Sequence, residues 1–267
     1  MKKLFFIGSG KMATAIAGGL ISSRTFSADE TGAFDPDINA ATAFNNATGI
    51  KVASDSPAVG IAESETILVA VKPQMIAAAL SPFREILKDK LLISIAAGIS
   101  IDKLQELSGC TRIVRVMPNT PALVGCGASA YAVSANVSAD DELLAEKILN
   151  AVGMTRKLKE NELDAVTALS GSGPAYVFEF IQALADGGVA EGLSRDTALT
   201  LAIQTVIGSA EMIRQTGEHP ASLKDKVTSP AGTTSRALQE LAERGFAGTV
   251  IKAVRAAAAC SRELGKN

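Results

Sequence analysis

A glycine-rich turn near the N-terminus constrains the fold of this chain more than any other feature. The apolar run Leu4–Ile7 leads directly into Gly8–Ala13, and a helical pattern of apolar residues follows. In that context the first glycine permits a tight turn out of a strand, and the second lets a pyrophosphate approach the backbone. The pattern therefore predicts a dinucleotide-binding turn. The predicted cofactor-binding residues here are Ile7, Gly8, Ser9, Gly10, Lys11 and Met12.

An acidic residue follows the second apolar run. Asp35 comes directly after Gly32–Phe34, at roughly the distance from the glycines where a carboxylate meets the adenosine ribose. A carboxylate there accepts hydrogen bonds from the ribose hydroxyls and repels a 2′-phosphate, so we expect NADH to serve at least as well as NADPH. The other interpretation is that Asp35 caps the Asp35–Asp37 turn and leaves the ribose alone.

Up to about residue 158, short apolar runs alternate with helical stretches. Continuously apolar strands separated by helices are typical of a sheet that is buried on both faces. This half of the chain is therefore predicted to be an α/β fold with a Rossmann-like, doubly wound, mostly parallel sheet. The predicted strands are Leu4–Ile7, Gly32–Phe34, Thr66–Val71, Leu91–Ala96, Arg112–Met117 and Ala128–Val133.

After Glu160 the strand signals stop, and alanine-rich helical periodicity predicts helices at 161–169, 174–192, 195–216, 223–228, 234–244 and 248–264. The helix from Pro174 is apolar on nearly every side, and such a helix must be enclosed by others. Roughly a hundred residues cannot easily enclose it alone, so we expect a homodimer. The chain thus divides into a dinucleotide-binding Rossmann domain, residues 1–158, and an all-α helical dimerisation and substrate domain, residues 159–267.

Composition excludes several other classes of protein. The formal net charge of −2 and the scattered lysines and arginines argue against a nucleic-acid partner. The longest apolar stretch, Leu91–Ile101, is too short to span a bilayer, and the N-terminus enters a strand without a signal peptide, so we expect a cytoplasmic protein. A single histidine, His219, makes a metal site improbable, and we expect Cys110, Cys126 and Cys260 to be buried, inert thiols.

Three loops that follow predicted strands carry unusual residues. In open parallel sheets, ligands bind beyond the carboxyl ends of the strands. The loops Val71–Gln74, Ala96–Gly98 and Met117–Pro121 together predict a nicotinamide pocket, although prolines that end strands and a glycine that turns the chain also explain each loop separately. The predicted cofactor-binding residues in these loops are Val71, Lys72, Ala97 and Asn119.

Two motifs interrupt the helical half. Ser170–Pro174 breaks one helical pattern and restarts another, either as a plain joint or as a place where the backbone at Pro174 approaches the cofactor. The run Asp225–Thr234 places Thr233, Thr234 and Ser235 at the start of an amphipathic helix. Such a start is a receptor for an anion, because its backbone N–H groups and the helix dipole face outward. The alternative is an ordinary helix cap behind a Pro-Gly turn.

The glycine-rich turn, Val71–Pro73, Met117–Pro121, Ser170–Tyr176 and Asp225–Thr234 together resemble the pyrroline-5-carboxylate reductase family over almost the whole chain. The resemblance implies an NAD(P)H-dependent reduction of Δ1-pyrroline-5-carboxylate to L-proline, the last step of proline biosynthesis. It also implies a Rossmann domain followed by a helical dimerisation domain, with a decamer of five dimers in some members. No strong acid is needed, because a pyrroline is basic enough to react as its iminium ion.

The resemblance also implies roles for individual residues. Thr233 and Thr234 grip the substrate carboxylate through backbone N–H groups, and the Thr234 hydroxyl meets the ring nitrogen as the catalytic group. Glu160 is a further substrate contact or else an ordinary surface carboxylate at a helix start. Ser56 is a candidate for holding the 2′-phosphate of NADPH. The family usually has two glycines before its threonines, and Ala231 in place of the first puts a positive φ at that position in doubt.

Two alternatives remain open at this point. A β-hydroxyacid dehydrogenase also joins a Rossmann domain to a helical one, but such enzymes share a helix-borne lysine, which the helix from Pro174 lacks. A non-catalytic dinucleotide-sensing protein would keep the cofactor site and lose turnover. Retention of Gly232, Thr233 and Thr234 argues against it.

Overall fold

The computed structural model describes residues 2–53 and 55–265, which form two compact units. The first unit contains the chain up to Ser172 together with the described residues from Ala257 onward, and the second contains Gly173–Ala256. The first unit continues beyond residue 158, because Leu163 is buried against the sheet and the Ser261 hydroxyl donates a 2.7 Å hydrogen bond to Asp164 Oδ1.

The first unit is built on one eight-stranded sheet in the order β3-β2-β1-β4-β5-β6-β7-β8. Neighbouring strands are parallel except β6 and β7, which confirms the predicted doubly wound, mostly parallel fold. The strands are β1 Lys2–Ile7, β2 Thr31–Phe34, β3 Val52–Ala53, β4 Ser64–Val69, β5 Leu91–Ser94, β6 Arg112–Met117, β7 Gly127–Val133 and β8 Gly153–Lys157.

Apolar strands are buried on both faces of this sheet. Leu4 and Phe6 belong to one buried cluster, and Phe5 and Ile7 to another. Successive side chains of a strand point to opposite faces, so a strand of continuous apolar residues contributes to two cores at once. This alternation explains why the central strands are so apolar. A polar substitution in β1 would therefore destabilise the core on the face of the sheet where that side chain is buried.

The helices of the first unit cover those two faces. They are α1 Lys11–Ser22, α2 Ile38–Thr48, α3 Ala58–Glu63, α4 Ile76–Leu80, α5 Arg84–Leu87, α6 Ile101–Ser108, α7 Ala139–Asn150 and α8 Leu163–Val166. The strand order reverses at β1, which lies between β2 and β4. Ligands of doubly wound sheets bind at this switch point, beyond the carboxyl ends of the strands.

The second unit is helical. Its helices are α9 Gly173–Ala190, α10 Arg195–Thr216, α11 Pro220–Lys226, α12 Thr233–Glu243 and the first part of α13 Phe246–Leu264. Its buried cluster consists of Ala185, Ala198 and Ala202, with Ile181 and Val189 packed against it. Alanines bury little apolar area, and many larger apolar side chains of this unit are exposed. They include Val177, Phe178, Phe180, Leu184, Leu201, Ile203, Ile207, Met212, Val250 and Ile251. Among the described residues, no helix is long and apolar enough to cross a membrane.

Candidate active site

A cavity of about 510 Å³ lies in the first unit at the switch point of the sheet. Its lining includes seven of the predicted cofactor-binding residues, which come from the ends of β1, β2 and β4 and from the loop before α3. They are Ile7, Gly8, Gly10, Asp35, Ser56, Val71 and Lys72. Sequence reasoning missed most of the apolar lining, because it comes from separate loops that carry no common motif. That part comprises Phe34, Pro36, Pro57, Ala70, Met75, Ala78, Ala79, Pro82 and Phe83.

The glycine-rich turn has the geometry that a dinucleotide requires. Gly8 has a φ of 97°, and a Cβ there would lie 2.9 Å from the carbonyl carbon and oxygen of Ala70, so only glycine fits. A Cβ on Gly10 would meet no atom within 4 Å, so the space beside the second glycine is open to a ligand. The turn and the cavity beside it therefore fit the cofactor.

The helix that follows this turn begins without a side-chain cap. Gly10 is its cap residue, and the first helical hydrogen bond to Gly10 O comes from Thr14 N at 2.9 Å. The backbone N–H groups of Lys11 and Met12 precede that bond, so they belong to the unpaired donors with which helix starts bind anions. The side chain of Lys11 is exposed, whereas Met12 packs against the core.

Asp35 is held by three hydrogen bonds from within the first unit. Its Oδ2 accepts from the backbone N–H of Ser9 at 2.7 Å and from the Ser9 hydroxyl at 2.9 Å. Its Oδ1 accepts from the backbone N–H of Asp37 at 2.9 Å. The last contact is the turn-capping interaction, but Asp35 also lines the cavity and is bound to the glycine-rich turn. Asp35 therefore caps the turn and also faces the cavity.

Ser56 lines the same cavity, and its hydroxyl oxygen accepts a 3.2 Å hydrogen bond from Ala58 N at the start of α3. Asp55 lies beside it in the lining. Lys72 is the one basic residue among the described residues that line the cavity. The charged groups of the described lining residues are thus two carboxylates and one ammonium group.

A second cavity of about 430 Å³ in the first unit contains Ala97 and Gly98 in its lining, together with Pro73 and Gln74. The loop after β4 therefore borders both cavities, with Lys72 on the first and Pro73 on the second. Ala97 is exposed, and Gly98 has a φ of 77°, which favours glycine. The loops after β4 and β5 meet at one edge of the sheet, as the sequence predicts.

Asn119 is buried, with 8% of its surface exposed, and both ends of its amide bind the protein. Its Nδ2 donates to Ser170 O at 3.0 Å, and its Oδ1 accepts from Ala128 N at 2.9 Å. The side chain thereby joins the loop after β6 to β7 and to Ser170. Its predicted contact with the cofactor stays a prediction.

Glu160 lies at a different place in the first unit and does not line the cavity that holds Asp35. Its Oε1 accepts from Arg115 Nη1 at 2.8 Å and from Ile101 N at 2.7 Å. The carboxylate therefore ties β6 to the start of α6. Its side chain is 33% exposed and that of Arg115 is 13% exposed, so this ion pair is sheltered on one side.

The predicted anion receptor is the start of α12 in the second unit. The first helical hydrogen bond to Gly232 O comes from Arg236 N, so the N–H groups of Thr233 and Thr234 precede the helical pattern. Thr233 is exposed and Thr234 is half-buried. Within the described part of the chain, the Thr234 hydroxyl makes no hydrogen bond. Pro174 lies in the first turn of α9 in the same unit.

Ala231 adopts a φ of 54°, so the doubt that an alanine raised about this position was wrong. The turn that precedes α12 keeps the left-handed conformation although the residue is not glycine. At Gly232, a Cβ would lie 2.2 Å from Ser229 Oγ, so the turn is too close-packed for a larger residue without a shift of that side chain.

The cysteines differ from the prediction. Cys110 is buried, its thiol donates to Leu87 O at 3.0 Å, and burial raises the pKa of the thiol. Cys126 and Cys260 are exposed, so the expectation that all three are buried was wrong. Cys126 lies in the turn directly before β7, and Cys260 lies at an exposed position on α13. His219 is the cap residue of α11, with its Nδ1 accepting from Ala221 N.

The doubly wound sheet, the glycine turn and the carboxylate after β2 define a dinucleotide-binding domain of the kind that NAD(P)-dependent oxidoreductases contain. A pyrroline-5-carboxylate reductase from Arabidopsis thaliana is 46% identical to this chain over 267 residues, which cover 99% of this chain and 96% of that protein. The chain belongs to the pyrroline-5-carboxylate reductase family.

Other comparisons agree with this membership. The family model described as pyrroline-5-carboxylate reductase dimerisation matches residues 160–264, and that described as NADP oxidoreductase coenzyme F420-dependent matches residues 3–98. A pyrroline-5-carboxylate reductase structure from Coxiella burnetii has a TM-score of 0.93 at 33% identity, covering 100% of this chain and 99% of that one. The Plasmodium falciparum pyrroline carboxylate reductase, solved with NADP bound, has a TM-score of 0.88 at 37% identity, with coverage of 99% and 98%.

Proposed function

We propose that this protein reduces the C=N bond of Δ1-pyrroline-5-carboxylate with NADH or NADPH to give L-proline, the last step of proline biosynthesis. Family membership supports this reaction. The structural observation that supports it best is the start of α12, where backbone N–H groups and two threonines follow a left-handed turn at Ala231 and would receive a carboxylate. This receptor belongs to a chain whose first unit carries a dinucleotide-binding turn.

The cofactor, when bound, supplies the hydride for the imine carbon, and the protein contributes binding and orientation. Residues 7–12 would hold the pyrophosphate on the backbone of the glycine turn and on the start of α1. Asp35 would meet the adenosine ribose, and Ser56 is the candidate for holding the 2′-phosphate of NADPH. Val71, Lys72, Ala97, Asn119 and Pro174 remain our candidates for the nicotinamide side.

Thr233 and Thr234 are proposed to bind the substrate carboxylate through their backbone N–H groups. The Thr234 hydroxyl would hydrogen-bond the ring nitrogen and thus hold the imine in one orientation for attack. We assign Glu160 to holding the start of α6, because its Oε1 accepts from Arg115 and from Ile101. A substrate contact by this side chain would have to use its second oxygen, Oε2.

A second copy of the chain is proposed to cover the helices of the second unit, giving a homodimer. The support is the small cluster of buried alanines between α9 and α10, together with the large apolar side chains that remain exposed on both helices. The match to a dimerisation family model agrees with assembly of this kind. We also propose that the protein is located in the cytoplasm.

Oxidation of NADH and of NADPH in the presence of pyrroline-5-carboxylate tests the function, with a 3-hydroxy acid and NAD⁺ as the control for the β-hydroxyacid dehydrogenase alternative. We expect turnover only with the pyrroline. A folded sample that oxidises neither cofactor would exclude the proposed reaction and favour a non-catalytic, dinucleotide-sensing role.

Thr234→Ala is expected to lower kcat about ten- to a hundredfold, because a lost hydrogen bond in the transition state is worth one to a few kcal/mol. The dissociation constant for the cofactor should stay within about twofold, because the change is not in the cofactor site. Thr234→Ser keeps the hydroxyl and should restore most of the rate, while Ser235→Ala removes the neighbouring hydroxyl as a matched control. Equal losses in Thr234→Ala and Ser235→Ala would show that the Thr234 hydroxyl has no special role.

A further inference from the structure

Ser9 occupies the position between the two glycines of the dinucleotide-binding turn, and its side chain is turned inward. Only 2% of its surface is exposed. Both of its donors, the backbone N–H and the hydroxyl, bind the same oxygen of Asp35, at 2.7 and 2.9 Å. The backbone N–H of Asp37 binds the other oxygen at 2.9 Å. The carboxylate is therefore fixed from both sides before any ligand arrives.

The remaining hydrogen-bonding capacity of Asp35 can be counted. An ionised carboxylate offers about four acceptor positions, two on each oxygen. Ser9 uses both positions on Oδ2, and Asp37 uses one on Oδ1. Counting only contacts from the described residues, one position on Oδ1 remains for a ligand in the cavity that Asp35 lines. Asp35 can thus accept a hydrogen bond from one ribose hydroxyl of a bound dinucleotide.

The charges around Asp35 disfavour a phosphate at the same place. A 2′-phosphate carries between about one and a half and two negative charges at neutral pH. Asp55 adds a second carboxylate to the lining, and Asp37 follows Asp35 closely, where its side chain accepts from Asn39 N and caps α2. Lys72, the one basic residue among the described lining residues, follows β4 rather than β2.

We propose that Ser9 positions Asp35 as a fixed acceptor for the ribose of the cofactor, and that this pair makes NADH the preferred cofactor of the chain. The inference rests on the proposed function, which it deepens. Membership of the family does not imply it, because the Plasmodium falciparum relative was solved with NADP bound. Asp35 is the specificity-determining residue, and Ser9 acts through it as a positioning residue.

Equilibrium binding of NADH and of NADPH, followed by the fluorescence of the reduced nicotinamide, tests the proposal without turnover. In the unaltered chain the dissociation constant for NADPH should exceed that for NADH by about tenfold or more, the size expected for a hydrogen bond to a charged group. Asp35→Ser removes the charge, and we expect it to shift the ratio of the two constants toward NADPH by about ten- to a hundredfold.

Ser9→Ala tests the positioning role. It removes the hydroxyl donor and keeps the backbone donor, so we expect KM for NADH to rise about three- to tenfold while kcat at saturating NADH changes less than about twofold. Ser9→Thr keeps the hydroxyl and should restore the KM. A purely structural role for Ser9 would instead lower stability without changing the preference between the two cofactors.

Asp37→Asn is the matched control, because it removes a nearby charge while asparagine still caps α2. Its ratio of the dissociation constants for NADPH and NADH should stay within about threefold of that of the unaltered chain, since Asp37 is exposed to solvent. An equal shift in Asp37→Asn and Asp35→Ser would overturn the specific role of Asp35. If Asp35→Ser fails to fold, the ratio of the dissociation constants for NADPH and NADH in the unaltered chain decides whether the proposal stands.

Failure of the inference and failure of the proposed function give different results. Tighter binding of NADPH by the unaltered chain, with normal reduction of pyrroline-5-carboxylate, would overturn the ribose role of Asp35 and leave the function standing. Preferential binding of NADH without reduction of the imine would support the inference about the cofactor and exclude the proposed reaction.

Discussion

Ala231 has a left-handed backbone conformation that glycine adopts without strain. For an alanine this conformation costs about 1–2 kcal/mol, because its Cβ crowds the following carbonyl. The chain tolerates that strain at the turn before α12, directly ahead of the threonines proposed to bind substrate. Strain at such a place is consistent with a turn whose shape is fixed by function rather than by stability.

Ala231→Gly is expected to raise the free energy of unfolding by about 0.5–1 kcal/mol, because relief of the strain exceeds the added entropy of glycine in the unfolded chain. Urea denaturation at fixed protein concentration measures the change. Ala237→Gly, at an exposed position inside α12, is the control and should lower the same free energy by about 1 kcal/mol. Loss of stability in both variants would show that Ala231 is not strained.

At the scale of elements, Glu160 joins three segments that are distant in sequence. The carboxylate binds Arg115 on β6 and Ile101 at the start of α6, from its own place at the start of a short 3-10 helix, Glu160–Glu162. The loop that carries Ala97 and Gly98 ends at α6, so the hydrogen bond from Ile101 N to Glu160 fixes one end of the loop that lines the second cavity.

Glu160→Gln separates this role from contact with the substrate. The amide keeps an acceptor for Ile101 N but loses the charge opposite Arg115, so we expect the free energy of unfolding to fall by about 1 kcal/mol, a modest value because the pair is partly exposed. KM for pyrroline-5-carboxylate should change less than about twofold. Glu106→Gln breaks an exposed pair with Lys103 and should cost less than about 0.5 kcal/mol. A large rise in substrate KM at unchanged stability would return Glu160 to the substrate site.

At the scale of the whole molecule, the second unit exposes an apolar surface on α9 that a single chain leaves uncovered. Phe178 is 64% exposed on this helix. We expect a dimer at micromolar concentration by sedimentation, and Phe178→Glu should weaken it by about tenfold or more, because a buried charge at an interface is costly. Leu143→Glu, at a 63% exposed position on α7, is the matched control. A monomer in the unaltered chain, or equal effects of both changes, would contradict dimerisation through α9.

The sequence by itself determined the features that depend on neighbouring residues. The apolar run before Gly8 predicted β1 and the turn, and helical periodicity predicted a helix over residues 195–216, which are the bounds of α10, because apolar runs and helix periodicity are local. The two strands without an apolar run were missed. β3 has only two residues, and β8 is an edge strand of mixed polarity whose place comes from pairing with β7.

Only the tertiary structure decided which side chains meet. The hydrogen bonds from Ser9 to Asp35, from Arg115 to Glu160 and from Asn119 to Ser170 join residues between 26 and 51 positions apart. Local patterns contain no information about such pairs, because their geometry follows from how the strands order in the sheet and how the helices pack on it. The sequence thus determined that a glycine-rich turn follows β1 and that a helix starts at the threonines after Gly232, and the packing decided which partners each polar side chain has.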